Sequence, residues 1–188
     1  MLSLNKLGDD IGKIEINPLE VSHPVEFEKG MPTKDDQFNC ATAFKVEVKF
    51  ADGLVMHVRD KAPDKGLDNG IMFEGEKGRF VVNRGKLVGK PVEQLADNPL
   101  PEDAMNKVYG QPMPKSHMEN FMECVKSRKT PISDLHSHNN MLNVCHAINI
   151  AMRLNKKLTY DPKARQFVGD ELANSLVSRE QRKGYELS

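Results

Sequence analysis

Three histidines and one cysteine fall within the fourteen-residue stretch SDLHSHNNMLNVCH, and such side chains can bind a metal ion or carry out acid–base chemistry. The next run, AINIAMRLNKK, has no Gly or Pro and has apolar residues at helical spacing, so both stretches together are predicted to form one long helix. At about 100° per residue, His136, His138 and His146 point in different directions around its axis. Helical zinc sites place ligands four residues apart, whereas Leu142 and Ile150 occupy those positions around His146. The spacing argues against a metal site within the helix.

Two stripes run along this predicted helix. The apolar stripe consists of Met141, Val144, Cys145, Ile148 and Met152, so Cys145 is predicted to be a small buried hydrophobe. A polar stripe beside it consists of Asn139, Asn143 and His146, spaced i, i+4, i+7. This polar stripe is either a solvated shoulder of the helix or a contact with a ligand or a second domain.

Composition limits the classes of partner. The chain has 188 residues, enough for one domain with a core, and 27 basic against 27 acidic side chains. Zero net charge argues against a nucleic acid or an anionic membrane as partner. No apolar run is long enough to span a membrane, and the first ten residues lack the features of a signal peptide. The three cysteines form no paired pattern, so we expect reduced thiols and a cytoplasmic protein.

The segment FKVEVKFADGLVMHVRD alternates apolar and polar residues on both sides of a turn, which predicts an antiparallel hairpin. A three-residue loop, 51–53, keeps both apolar sets on one face and places Gly53 in the left-handed region. The predicted pairs are Phe50 with Leu54, Val48 with Met56 and Val46 with Val58. The opposite face is polar, and it is either solvated or a binding floor.

Other elements follow from similar signals. KIEINPLEVSH predicts a strand with an edge position or a bulge at Pro18, and PVEFEKGMPTKDDQFN is predicted to be a loop. Strands are predicted at 71–74, 80–82 and 87–88, and their glycines match neither a dinucleotide loop nor a Walker loop. Two further strands are predicted around Asp161-Pro162.

Caps place the helices. Ser116 is predicted to cap a helix with a core stripe, Ser133 to cap the long helix, and Asp170 to cap a final helix, ELANSLVSREQR. The core stripe consists of Met118, Phe121, Met122 and Val125. The order of elements predicts an α+β fold with an open, mainly antiparallel β-sheet and helices packed on one face.

Three segments carry a family resemblance: GIMFEGEKGRFVVNRGKL, HMENFMECVKSRKTPISD and CHAINIAMRLNKKLTYDPKARQFVGDELANSLVSREQRKGY. They resemble the C-terminal half of the glucose-fructose oxidoreductase, inositol dehydrogenase and MocA (Gfo/Idh/MocA) family, and the likeness extends from about Gly12 to Tyr185. It implies a single C-terminal substrate-binding and oligomerisation domain over residues 1–188. Residues 1–11 would be the remnant of a preceding helix or linker.

The resemblance implies a two-domain oxidoreductase acting on a sugar, polyol or related compound. In the family an N-terminal Rossmann domain holds NAD or NADP, and the C-terminal sheet shapes the substrate site and mediates dimers or tetramers. The family's cofactor and catalytic motifs lie upstream of the segments that carry the resemblance. We therefore assign no catalytic, cofactor-binding or metal-binding residue to this chain, and we expect a homo-oligomer through the sheet face and a Rossmann domain in cis or in trans.

Two other functions are alternatives. The chain could be a non-enzymatic sheet module that binds a carbohydrate or a protein. A hydrolase that uses Cys or His is disfavoured, because no motif pairs a nucleophile with a base.

A polyol site needs several neutral donors and acceptors and one or two charged groups. The loop supplies Gln37 and Asn39, and the polar stripe supplies Asn143 and His146, so these four residues are the predicted substrate-binding set. Alternatively, the loop is a surface excursion, and the polar stripe contacts the cofactor domain.

Overall fold

The structure is a computed structural model that describes residues 11–34, 36–63 and 69–186. Its strands are β1 (Ile14–Ser22), β2 (Phe27–Glu28), β3 (Met31–Pro32), β4 (Ala43–Lys49), β5 (Val55–Arg59), β6 (Ile71–Gly75), β7 (Gly78–Val82), β8 (Leu87–Val88), β9 (Leu158–Asp161) and β10 (Gln166–Phe167). Its α-helices are α1 (Lys90–Glu93), α2 (Ala104–Tyr109), α3 (His117–Ser127), α4 (Leu135–Leu154) and α5 (Glu171–Ser175).

The chain divides into two compact units. The described residues within 1–60 and 133–188 form what we call the outer unit, and those within 61–132 form the inserted unit. The predicted single-domain organisation stays a prediction. The predicted remnant at residues 1–11 lies, apart from Ile11, outside the described residues.

The outer unit is built on a five-stranded antiparallel sheet with the order β10-β9-β1-β4-β5. The predicted register of the β4–β5 hairpin is confirmed, since Val46 pairs with Val58 and Val48 with Met56. Its three-residue turn is closed by a bond of 2.9 Å from Phe50 N to Leu54 O, and Gly53 has φ +87°. The apolar alternation fixed this register, because a shift by one residue would have turned the buried side chains outward.

The irregularity at Pro18 is a bulge rather than an edge position. The register of β1 against β4 shifts between Pro18 and Glu20. Strand β1 lies inside the sheet, but it pairs with β9 only from Ile14 to Ile16. Pro18 has no N–H to donate and therefore lies beyond the part of β1 that is paired on both sides.

The core of the outer unit lies between one face of this sheet and α4. Ile14, Ile16, Val46 and Val48 are fully buried on that face. Helix α4 covers them with Val144, Ala147, Ile148 and Ala151. The long helix is confirmed, and so is the α+β class with an open antiparallel sheet, because strand alternation and helix periodicity each supply one apolar face.

The cap of α4 differs from the prediction. Asp134, not Ser133, is the N-cap, and its Oδ1 accepts from His136 N at 2.9 Å and from Ser137 N at 3.0 Å. Ser133 Oγ instead lies 3.4 Å from His138 Nε2. Both residues are good caps by type, so the sequence did not discriminate between neighbouring candidates.

The prediction that Cys145 is buried is wrong, since the structure exposes its thiol. The buried face of α4 is centred on Val144, Ala147, Ile148 and Ala151. Cys145 lies about 100° from Val144 around the helix, which places it just outside that face. The predicted stripe was therefore centred slightly to the solvent side of the face that is buried.

The segment predicted to be a loop at residues 24–39 contains a small hairpin, β2–β3, that the sequence pattern did not predict. Glu28 pairs with Met31 across a two-residue turn, and both turn residues have positive φ, 50° at Lys29 and 76° at Gly30. This is the backbone of a type I′ turn, whose right-handed twist suits hairpins. Its strands have only two residues each, too short for a visible alternation.

Helix α5 is capped by Asp170 as predicted, with a bond of 2.9 Å from Ala173 N to Asp170 Oδ1. Lys156 Nζ contacts Asp170 Oδ2 at 2.5 Å, and this bond, followed by the cap, holds the pKa of Asp170 below its usual value. The helix is shorter than the sequence indicates. The Asn174 side chain bonds both backbone groups of Phe167, at 2.7 and 2.9 Å, and so joins the end of α5 to β10.

The inserted unit contains the predicted three-stranded sheet, in the order β6-β7-β8, and α3 with its predicted N-cap Ser116. The predicted core stripe of α3 is wrong: Met118, Phe121, Met122 and Val125 are all exposed. Asn120 is buried in their place, and its Oδ1 accepts a bond of 3.0 Å from Ile132 N. An amphipathic pattern identifies a face that needs cover, but it does not specify what covers it.

Candidate functional site

The second face of the outer sheet is polar. Strand alternation places on it Glu15, Asn17, Lys45, Glu47, Lys49, Val55, His57, Arg59 and Thr159, which we call the open face. None of these side chains is buried. One side of a two-sided antiparallel sheet is thus available to solvent or a partner.

Charges of both signs alternate across the open face. Glu15 lies opposite Lys49 on one side and Thr159 on the other, and Glu47 lies opposite Asn17 and His57. Lys49 Nζ is 3.1 Å from Glu47 Oε1. The face presents an alternating pattern rather than a field of one sign.

An ion pair lies at the border of the open face. Lys157 Nζ is 2.8 Å from Glu15 Oε2, and this bond holds the pKa of the Glu15 carboxyl below its usual value. Both side chains are about half exposed, so solvent screens the pair.

The loop that carries Gln37 and Asn39 is anchored at both ends. Thr33 bonds Glu26 O through its N–H at 2.9 Å and its hydroxyl at 3.1 Å, and Thr42 N donates to Ser22 O at 2.9 Å. Gln37 is exposed and Asn39 half-buried. The loop thus leaves the β2–β3 hairpin at Thr33 and joins the β1–β4 pair at Thr42.

The polar stripe of α4 lies beside its buried face. Asn143 is half-buried and His146 is exposed. In the described part of the chain, the side chains of Gln37, Asn39, Asn143 and His146 make no hydrogen bond, and no ring contact joins the loop to the stripe. All four groups can accept a ligand, but whether they form one site stays a prediction.

The histidine-rich start of α4 has a structural role that sequence alone did not assign. His138 Nδ1 lies 2.8 Å from the backbone oxygen of Asp134, which can only accept, so Nδ1 carries the proton. Ser137 Oγ donates to Asp134 Oδ2 at 2.6 Å, and this bond lowers the pKa of Asp134. Together, Asp134, Ser137 and His138 stabilise the N-terminus of α4.

A second cluster that the sequence did not reveal packs the β2–β3 hairpin onto α4. The Arg153 guanidinium lies 5.5 Å from the centre of the Phe27 ring, and the ring of His23 lies 4.3 Å from that of Phe27. Burial, with the nearby Arg153 charge, lowers the pKa of His23. In the sequence, the only sign of this cation–π contact is that aromatic residues stand between charged ones.

The N-termini of the two long helices in the described part of the chain do not suit a dinucleotide. A pyrophosphate binds at the bare N-terminus of a helix. The N-terminus of α4 is already occupied by the Asp134 carboxylate, and that of α3 by Ser116 Oγ together with the Glu119 carboxylate, whose Oε2 accepts from Lys115 N at 3.0 Å. Both long helices present negative charge where a phosphate would have to lie.

Metal sites and membrane spans are absent from the described residues. Within them, no three His, Cys, Asp or Glu side chains are grouped so that they could hold a metal ion. Helices with the length and apolar character needed to cross a membrane do not occur there either.

The outer unit is thus an α+β arrangement in which α4 covers one face of an open antiparallel sheet and the other face is polar. Residues 17–187 match the family described as "Oxidoreductase family, C-terminal alpha/beta domain", of the Gfo/Idh/MocA group. The chain therefore belongs to this family, as its motifs indicated. Comparison with curated proteins and with solved structures found no match.

Proposed function

We propose that this chain is the substrate-binding and oligomerisation domain of an NAD(P)-dependent oxidoreductase that acts on a sugar, polyol or related compound. Membership of the oxidoreductase family supports the class of reaction. A Rossmann domain, in cis or in trans, holds the NAD or NADP. The observation that carries the oligomerisation role is the open face of the five-stranded sheet, which no helix covers among the described residues of the outer unit.

The open face suits a second copy of itself. Its alternating charges allow a two-fold related face to bring Lys against Glu, and Val55, which is 43% exposed, adds an apolar contact. On the open face, the acidic residue Glu47 lies between Lys45 and Lys49 along β4 and opposite His57 of β5.

Glu47→Lys leaves only basic charges on the β4 and β5 part of the open face and is expected to prevent pairing through the sheet. Sedimentation equilibrium should show a loss of one association step, relative to wild type, at micromolar concentration. Lys163→Glu, in the exposed turn between β9 and β10, is the control for a charge reversal and should not change the mass. A wild-type mass of one 21.2 kDa chain would contradict the proposal.

We propose that the substrate is bound by four side chains: Gln37, Asn39, Asn143 and His146. These side chains offer hydrogen-bond donors and acceptors without a protein partner in the described residues, which is the chemistry that hydroxyl groups require.

In the complete enzyme, Asn39→Ala or His146→Ala should raise KM and leave the Kd of the dinucleotide unchanged. The expected loss is that of one or two hydrogen bonds, about 1–3 kcal/mol in kcat/KM. Asn98→Ala is the control, because Asn98 is exposed and lies outside both α4 and the loop. Wild-type steady-state kinetics in both variants would rule out these two residues.

A further inference from the structure

Helix α3 exposes a continuous apolar stripe. Met118 is 68% exposed, Phe121 57%, Met122 49% and Val125 44%. Their spacing of i, i+3, i+4 and i+7 places them on one face of the helix. Buried Asn120 lies on the other side, where it bonds Ile132 N. The helix is thus held with its apolar face toward solvent.

This stripe belongs to a unit that lacks an apolar core of its own. Among residues 61–63 and 69–132, no apolar side chain is buried, and Asn120 is the only residue in that class. A contiguous apolar face of this kind on a protein surface marks an interaction site. The stripe therefore needs a partner to cover it.

Charges beside the stripe indicate the partner. Glu119 and Lys126 are seven residues apart, so they lie on the same flank, one near each end of α3. An antiparallel pair of α3 helices, related by a two-fold axis near Met122, brings Glu119 of each copy level with Lys126 of the other. A parallel pair would put Glu119 level with Glu119. Glu119 Oε2 accepts from Lys115 N, so Oε1 is the acceptor offered to Lys126.

We propose that α3 is a second self-association surface, on which two copies of this chain pair antiparallel through Met118, Phe121, Met122 and Val125, flanked by Glu119–Lys126 ion pairs. The pairing is isologous, because each copy contributes the same patch. Together with pairing through the open face, it gives the chain two kinds of two-fold contact.

The contact is weak by size. Two eleven-residue helices bury less than about 1,000 Å², the lower limit of stable interfaces. The dissociation constant is therefore expected to be about 10 µM or higher. Measurements must extend from micromolar to millimolar concentration.

The first test uses sedimentation equilibrium of the whole chain. Phe121→Asp places a charge at the centre of the stripe and should raise the dissociation constant of the α3 step at least about 100-fold. In the Glu47→Lys background, where sheet pairing is prevented, the chain should still dimerise through α3, and adding Phe121→Asp should leave a monomer. If the Glu47→Lys variant is monomeric up to millimolar concentration, α3 does not pair with itself. If instead only the pairing through the open face proves absent, association through α3 should still be measurable, so failure of one proposal can be told from failure of the other.

A charge-reversal pair tests the antiparallel orientation, again in the Glu47→Lys background. Glu119→Lys puts lysine at both of these positions and Lys126→Glu puts glutamate at both, so each variant alone should pair at least about fivefold more weakly. Mixing the two should restore pairing, because both ion pairs then form between unlike copies. The control for a charge reversal is Glu102→Lys, at an exposed position outside α3, and it should not affect pairing. If mixing does not restore pairing, the antiparallel arrangement is wrong. Circular dichroism of each variant shows whether its weaker pairing comes from unfolding instead.

Discussion

Ile16→Ala is expected to lower the free energy of unfolding by about 3–4 kcal/mol, because it removes side-chain volume from the centre of the core. Ile16 is fully buried in the central strand, where it pairs with Val48 of β4 and Leu158 of β9. Truncation removes three carbon atoms and leaves a cavity between the sheet and α4. The surrounding side chains come from three strands and a helix, so they cannot collapse into it without shifting the backbone.

Urea denaturation followed by circular dichroism measures this loss. Val55→Ala is the control, since Val55 lies on the open face of the neighbouring hairpin and is 43% exposed. It should cost less than about 1 kcal/mol. Comparable losses in the two variants would mean that the sheet is not buried on the face assigned to it.

Gly30→Ala is expected to lower the free energy of unfolding by about 2–3 kcal/mol, through backbone strain and crowding together. Gly30 has φ +76°, which costs any other residue about 1 kcal/mol. An added Cβ would also lie 2.5 Å from Leu176 Cδ1 and 3.1 Å from Leu154 Cδ2. Both leucines pack against the core, so moving them costs about 1–2 kcal/mol more.

Gly53→Ala separates these two contributions. Gly53 has φ +87°, but nothing lies within 4 Å of the position of its Cβ, so only the backbone cost of about 1 kcal/mol applies. The difference between the two variants in urea denaturation reports the packing of the β2–β3 turn against Leu154 and Leu176. Equal losses would show that the turn does not contact them.

Several elements could be predicted from the sequence because their signals are local. The β4–β5 register followed from strict alternation around Ala51-Asp52-Gly53 and was confirmed. Ser116 and Asp170 were identified as caps, because a side-chain oxygen just before a helix bonds its first free N–H groups whatever the rest of the fold does. Family membership was equally local, since short motifs carried it.

The candidate site was only partly accessible from the sequence. Residue types selected Gln37, Asn39, Asn143 and His146 as polar groups at the surface, and the structure leaves each without a hydrogen bond in the described residues. The sequence could not place the loop against α4, because nothing in the pattern of either segment encodes the distance between them.

Tertiary structure decided which faces are covered. Periodicity predicted apolar stripes on α3 and α4, yet α4 turned Cys145 outward and α3 exposed Phe121 while burying Asn120. The sequence determined that each helix has an apolar side, since that depends on spacing along one helix. Which side of the helix faces the protein depends on the sheet or loop that packs there, and on single bonds such as Asn120 to Ile132. These contacts join residues far apart in the chain, so they exist only in the folded protein.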